Sequence, residues 1–188
     1  PAPPIPSQVI STQGKVLFSE GQVQSGQEAW LSAGGQQLGS VWGHGSYVAP
    51  DWSADWLHRE ALALRDIWSQ RDFGKKFADL SVGQQGELSA RLKSEMRANT
   101  YDAATGAITH SPERVAAIQQ ITKHYTHLSG DASSMDKLPD QHSMTTGYCP
   151  DPAGLKDLHL FTFFASLAPP THPPRAATPS HPQHPTPR

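Results

Sequence analysis

Cysteine is almost absent from this chain, since Cys149 is the only one among 188 residues. A single thiol excludes an intrachain disulfide framework and also the paired thiols of a C-x-x-C-H attachment site for c-type haem. Basic residues are not in surplus either, because 15 lysines and arginines face 17 acidic residues and the formal net charge is −2. The chain therefore lacks the basic surface that follows a phosphate backbone, and we expect no binding to nucleic acid.

Long apolar runs are also missing. The longest, LHLFTFFASLA from Leu158 to Ala168, falls well short of the roughly 20 residues that cross a bilayer. The chain opens at Pro1 with no initiator methionine and no signal-type segment. We therefore expect any targeting or anchoring segment to lie upstream of Pro1.

Both ends of the chain are rich in proline. The alternating prolines of PAPPIP favour an extended backbone, so residues 1–8 are predicted to form a stalk that leads away from an anchor. Residues 169–188 contain no side chain suited to a core and are predicted to be disordered. Two interpretations of this tail stay open, a flexible extension or the out-of-frame translation of a GC-rich gene.

Between these ends the sequence alternates short hairpins with amphipathic helices. Glycines at Gly14 and Gly106, each between segments of strand-forming residues, predict two β-hairpins. The strongest helix follows Asp51, with an apolar stripe and a glycine stop at Gly74. The stripe consists of Leu57, Ala61, Leu64 and Trp68, and the helix starts are predicted at Ser25, Asp51 or Ser53, Ser81, Ser111 and Asp151.

The segment GHGSYVAPDWSADWLHRE, from Gly43 to Glu60, concentrates aromatic and titratable residues. It could hold ligands for a metal or haem, or form a turn before an aromatic helix that docks onto a partner. His44 and His58 are too far apart for a metal-binding pair on one helical face, and no catalytic motif occurs in the chain. Asp51, Asp55 and Glu60 are interpreted as helix-capping and dipole-complementing residues.

Tryptophan is too abundant here for one small core. Some of these rings should face a partner, because aromatic residues dominate contact surfaces. The predicted partner contacts are His44, Trp52 and Trp56.

The run GQEAWLSAGGQQLGSVWGHGSYVAPDWSADWLHRE, from Gly26 to Glu60, resembles the N-terminal domain of quinol-dependent nitric oxide reductase. That enzyme belongs to the haem-copper oxidase superfamily of the bacterial inner membrane. PPIPSQVISTQGKVLF resembles the segment just after the first membrane helix of that family, so the stalk of residues 1–8 would follow a missing membrane helix. RANTYDAATGAITHSPERVAAI resembles the later part of the same domain. The resemblance implies an all-α, cytochrome c-like helical domain with small β-hairpins over residues 9–150, and a helix that starts at residues 151–168 and leads to the membrane.

The resemblance ends near residue 165. The family continues from there into a membrane helix rich in phenylalanine and tryptophan, whereas this chain continues into its proline-rich tail. The departure favours the out-of-frame or truncated interpretation of residues 169–188.

The resemblance also implies that the domain carries no haem. In related two-subunit enzymes a C-x-x-C-H motif leads directly into a segment like the one after Ser40. Aligned without gaps, Gly35, Leu38 and Gly39 stand where the two cysteines and the histidine would be. Thioether attachment needs both thiols and axial ligation needs the imidazole, so the domain resembles a cytochrome c fold that has lost its haem. Electrons are therefore expected to come from quinol in the membrane and not through this domain.

For the same loop, the resemblance implies a contact with the membrane subunit. There the carbonyl of Gly45 and the phenol of Tyr47 would help to hold a calcium ion that bridges propionates of two b-type haems. Reduction of two NO to N2O and water at a haem b3/non-haem iron centre would occur on membrane helices that this chain lacks. We therefore expect an inactive chain without its own cofactor, on the periplasmic face of the inner membrane. The alternative is a free-standing, haem-free periplasmic interaction module that binds a protein through Trp52 and Trp56.

Overall fold

Helices dominate the computed structural model, which describes residues 5–32, 39–41, 44–45, 51–130 and 152–167. The expectation of a mainly helical domain with small β-hairpins is confirmed. A 3-10 turn, Phe77–Asp79, joins the second helix to the third. In chain order the described helices are α1 (Glu20–Ser32), α2 (Trp52–Phe73), α3 (Val82–Arg97), α4 (Pro112–Gly130) and α5 (Pro152–Leu167).

Both predicted hairpins are present, and they share one sheet. Strands β1 (Gln8–Ser11) and β2 (Val16–Ser19) are antiparallel, as are the later strands β5 (Tyr101–Asp102) and β6 (Ala107–His110). Gly14 and Gly106 adopt φ of 80° and 70°, which the turns require and which glycine adopts without strain. Strand β1 pairs in parallel with β6, which gives the order β2-β1-β6-β5. Two further strands, β3 (Ser40–Val41) and β4 (His44–Gly45), form a separate antiparallel pair.

Helix α2 begins and ends at the predicted residues. Asp51 is its N-cap, and Asp51 Oδ1 accepts a hydrogen bond from the backbone nitrogen of Ala54 at 2.9 Å. Gly74 closes the helix in the left-handed conformation, with its N–H bonded to the carbonyl of Gln70. The cap and the stop are local signals, which is why the sequence alone predicts both.

Helix α1 starts earlier than predicted, at Glu20 and not at Ser25. The side chain of Gln22 reaches back to the backbone nitrogen of Ser19 at 3.1 Å, which satisfies an N–H that the first turn would leave free. The starts at Ser81 and Ser111 agree with prediction. Ser81 forms a complete capping box with Gln84, and Ser111 Oγ accepts from the backbone nitrogen of Arg114.

The core is built around α5. Every residue from 159 to 166 is buried, and α5 packs against α1, α2 and α4. Because residues 159–166 are buried on every side of the helix, this part of α5 lies inside the domain. No helix in the described ranges is long and apolar enough to cross a membrane.

The buried side chains form two clusters. The larger one lies between α1, α2, α4 and α5 and is mostly aromatic, and the smaller one lies between the second half of α2, α3 and α4. The aromatic members of the larger cluster are Trp30, Trp52, Trp56, Tyr125, Phe161, Phe163 and Phe164.

Candidate functional site

A buried ion pair joins α2 to α4 at the centre of the domain. Glu60 is 0% exposed, and its Oε1 accepts from Nε of Arg114 at 2.6 Å. The second oxygen, Oε2, accepts from Nε1 of Trp56 at 3.1 Å. Both carboxylate oxygens therefore have donors, which is the condition for keeping a charge inside a protein.

This arrangement corrects the interpretation of Glu60 as a residue that complements the helix dipole. The buried face of α2 runs through Trp52, Trp56, Glu60, Leu64 and Trp68, which recur every four residues. Glu60 occupies a core position on that face. Sequence reasoning missed the pair because a carboxylate on an apolar stripe is a weak signal without its partner.

A cavity of about 680 Å³ opens beside the ion pair. Arg114 and His110 lie in its wall, with Leu57 from α2 and Phe164 from α5. The end of α3 and the loop that follows it provide another side, and further lining residues are Pro6, Met96, Arg97, Ala98, Asn99, Thr100, Tyr101, Ile108, Ser166 and Leu167.

Two buried histidines lie close to this centre, and sequence reasoning singled out neither. His110 is 2% exposed, and no described residue forms a hydrogen bond with its Nε2. Burial, together with the nearby charge of Arg114, lowers the pKa of His110 to about 3. The imidazole is therefore neutral at pH 7.

His159 is buried in the aromatic cluster. Its ring stacks on Trp56 with centroids 6.5 Å apart and an interplanar angle of 9°. Both of its ring nitrogens are buried without a hydrogen-bond partner among the described residues, and burial lowers the pKa of His159 to about 4. Its position in the apolar run HLFTFFA was the signal that could have indicated a neutral core histidine.

A second polar contact ties the start of α2 to α4. Tyr125 donates its hydroxyl to Asp55 Oδ2 at 2.7 Å, and Arg59 Nε donates to the same oxygen at 2.7 Å. Burial by itself would raise the pKa of Asp55, but the hydrogen bonds from Arg59 and Tyr125 outweigh it and the pKa is lowered. Burial and the charge of Asp55 raise the pKa of Tyr125 well above its usual value. Asp55 therefore stays ionised and Tyr125 neutral, an arrangement that holds two helices together.

The predicted partner surface on Trp52 and Trp56 is wrong. Trp52 is 4% exposed and Trp56 is 0% exposed. Tyr125 stacks on Trp56 with centroids 5.2 Å apart and meets the edge of Trp52 at 6.3 Å. The residues that cover these rings come from α4 and α5, so the local sequence around them carries no sign of their burial.

The remaining predicted site residues lie in or near β4. His44 and Gly45 form that strand, and Gly45 pairs with Ser40. Neither the side chain of His44 nor any part of Tyr47 is among the features that the structure describes. The calcium contact and the partner contact of His44 therefore stay predictions. Within the described ranges there is no group of three or more histidine, cysteine or acidic residues that could hold a metal.

Position 39 bears directly on c-type haem. A Cβ added to Gly39 would lie 2.0 Å from Nε1 of Trp52 and 2.6 Å from two further ring atoms. Trp52 is buried, so its ring cannot move aside without repacking the core. Gly39 stands where the resemblance puts the axial histidine, and the chain has one cysteine where covalent attachment needs two. The residues present therefore do not fit a c-type haem; Gly35 and Leu38 fall outside the described residues.

One comparison with known proteins identifies a family. The sequence model of a family, the NorB cytochrome c-like domain of nitric oxide reductase, matches residues 6–180. The match continues past residue 168, into the segment predicted to be disordered or out of frame. No individually curated protein matches the chain.

Proposed function

Because the chain belongs to the family of NorB cytochrome c-like domains of nitric oxide reductase, we propose that it is the external domain of a bacterial quinol-dependent nitric oxide reductase. It covers the membrane-embedded catalytic part at the periplasmic face, and that part reduces NO to N2O. The family match over residues 6–180 is the observation that carries this proposal. The chain itself contributes packing and contacts and no catalytic residue.

The absence of haem from this domain is part of the proposal. Its support is the single cysteine and the close approach of Trp52 to Gly39, which leaves no space for a side chain there. A domain without haem cannot pass electrons to the membrane part, so quinol in the membrane is the proposed donor.

The contact with the membrane part is proposed to include calcium. The carbonyl of Gly45 and the phenol of Tyr47 would provide two oxygen ligands, and calcium takes six to eight. The membrane subunit must then provide most of the others. His44 precedes Gly45 in β4 and is the proposed partner-contact residue beside them.

The proposed organisation keeps residues 9–150 as the domain with a stalk before it, but the predicted stalk boundary of residues 1–8 is corrected, because Gln8 is the first residue of β1 and Pro6 is buried. Residues 151–168 would start the helix that leads to the membrane. Because α5 is buried from residue 159 to residue 166, that helix also belongs to the core of the domain. Residues 169–188 lie outside the described residues. The alternative of a free-standing interaction module depended on exposed Trp52 and Trp56, whose burial removes its support.

The chain should bind the membrane catalytic subunit of a nitric oxide reductase prepared without its own external domain. If calcium bridges the two, removal of calcium by a chelator or the substitution Tyr47→Phe should weaken binding about tenfold, equivalent to about 1.4 kcal/mol. Surface-immobilised catalytic subunit and purified chain would give the dissociation constant. Tyr101→Phe is the matched control, because it removes the hydroxyl of an exposed tyrosine on β5 and should leave binding unchanged.

Failure of the wild-type chain to bind the catalytic subunit would contradict the proposed function. Binding that ignores both chelator and Tyr47→Phe would contradict the calcium contact alone.

A further inference from the structure

The cavity beside the buried ion pair has apolar walls and cationic groups. Its apolar lining comes from four elements, α2, α3, β6 and α5, and includes Leu57, Met96, Ile108, Phe164 and Leu167. Arg97 and Arg114 also line it, and no aspartate or glutamate is among its described lining residues. A cavity of this composition attracts an anion that carries an apolar body.

Arg114 is prepared for such an anion. Its Nε is held by Glu60, and Glu60 is held in turn by Trp56. No described residue accepts a hydrogen bond from either terminal nitrogen of Arg114. A guanidinium that is fixed through Nε keeps its two outer N–H groups in a planar fork, which matches the two oxygens of a carboxylate.

The charges of the groups around Arg114 indicate the charge of the ligand that the cavity would hold. Glu60 neutralises Arg114, so Arg97 provides the excess positive charge; it is exposed at the end of α3 and forms no ion pair with the described residues. His110 lies in the wall as a neutral ring, buried, and its Nε2 has no hydrogen-bond partner within the described ranges. One excess positive charge and one neutral polar group fit a single negative charge.

We propose that this cavity binds a monoanionic amphiphile, a carboxylate on an aliphatic body. The volume of about 680 Å³ lies within the roughly 300–1,000 Å³ of ordinary ligand sites. The carboxylate bonds the outer nitrogens of Arg114 and is near Arg97, while the aliphatic body packs against Leu57, Ile108 and Phe164. This site does not depend on the proposed function, since every residue that forms it belongs to this chain.

Decanoate is the probe, titrated into the full chain by calorimetry below its micelle concentration. Decanol, which has the same body and no charge, should bind at least about tenfold more weakly. Arg97→Gln should weaken decanoate binding about fivefold, because it removes the excess charge. Lys93→Gln is the matched control, since it removes one charge from the same exposed helix but lies outside the cavity.

A second variant blocks the cavity without touching the ion pair. Ala98 lines the cavity, is exposed and has φ −64° and ψ 122°, a conformation that phenylalanine adopts readily. Ala98→Phe should abolish decanoate binding while the thermal unfolding and far-UV circular dichroism stay as in the wild type.

The proposal is overturned if decanoate does not bind at millimolar concentration, or if decanol binds equally well. It is also overturned if Ala98→Phe or Arg97→Gln keeps wild-type affinity. Tighter binding of decyl phosphate, which carries more negative charge, would contradict the assignment of a single carboxylate.

Discussion

Replacing Arg114 with alanine should lower the free energy of unfolding by about 3–5 kcal/mol, because it leaves the buried carboxylate of Glu60 without its charged partner. Glu60 is 0% exposed, so its charge is largely shielded from solvent in the folded chain. Trp56 would remain as its one donor. Urea unfolding at pH 7, followed by tryptophan fluorescence, would measure the loss.

Removal of both charges should cost much less than removal of one. The double substitution Glu60→Leu with Arg114→Met replaces the pair with apolar side chains of similar volume, a change that is often neutral or stabilising in buried sites. We therefore expect the double variant to regain most of the stability that Arg114→Ala loses. The control is Arg71→Ala, because Arg71 contacts Asp72 and Glu113 at the surface, where such pairs contribute about 1 kcal/mol or less.

Two results would contradict this account of the core. One is an Arg114→Ala variant that loses less than about 1 kcal/mol, as a surface arginine would. The other is a double variant that is no more stable than the single one.

Lowering the pH from 7 to 5 should reduce the free energy of unfolding by about 4 kcal/mol. His110 and His159 have folded-state pKa values of about 3 and about 4, both below the ordinary 6.5. The unfolded chain therefore binds more protons in this range. The stability that these groups provide is complete above pH 6.5 and is lost as the pH falls toward the folded pKa values.

Each histidine contributes about 1.4 kcal/mol per pH unit within this window. His159→Phe keeps an aromatic ring in the cluster and removes two buried nitrogens that have no partner among the described residues. It should halve the slope between pH 6 and pH 5 without loss of stability at pH 7. Asp55 does not contribute to the change in stability between pH 7 and pH 5, because its pKa is lowered from 3.8 and lies below this range.

His58→Gln provides the control. It replaces a histidine that is exposed on α2, outside the buried cluster that holds His159. A stability that does not change between pH 7 and pH 5, or a slope in His159→Phe equal to that of the wild type, would contradict the neutral, buried state of these rings.

Local features of the fold were predictable from the sequence. The turn glycines Gly14 and Gly106, the cap at Asp51 and the capping box at Ser81 each depend on a few consecutive residues. The predictions of these features were correct because each needs only a few neighbouring residues. The start of α1 was missed because Ser25 is a typical N-cap residue and was chosen instead. The real start is marked only by the Gln22 side chain, whose oxygen accepts a hydrogen bond from the backbone nitrogen of Ser19.

Features that depend on distant partners were not predictable. Glu60 and Arg114 lie 54 positions apart, and the parallel pairing of β1 with β6 joins segments at opposite ends of a long crossover. Trp56 is buried by Tyr125 and Phe163, which belong to other helices. The candidate site consists largely of such contacts, so the sequence drew attention to Glu60, Trp52 and Trp56 without indicating what they contact.

The haem content of the purified chain tests the haem-free part of the proposed function most directly. The chain would be produced in a bacterial host that matures c-type cytochromes, then analysed by absorption spectroscopy, haem staining after denaturing electrophoresis, and intact mass. We expect no Soret band, no haem stain and the mass of the polypeptide alone, because the chain has one thiol and no space at Gly39. A haem that stays attached through denaturation would contradict both the haem-free assignment and the packing of Trp52 on Gly39.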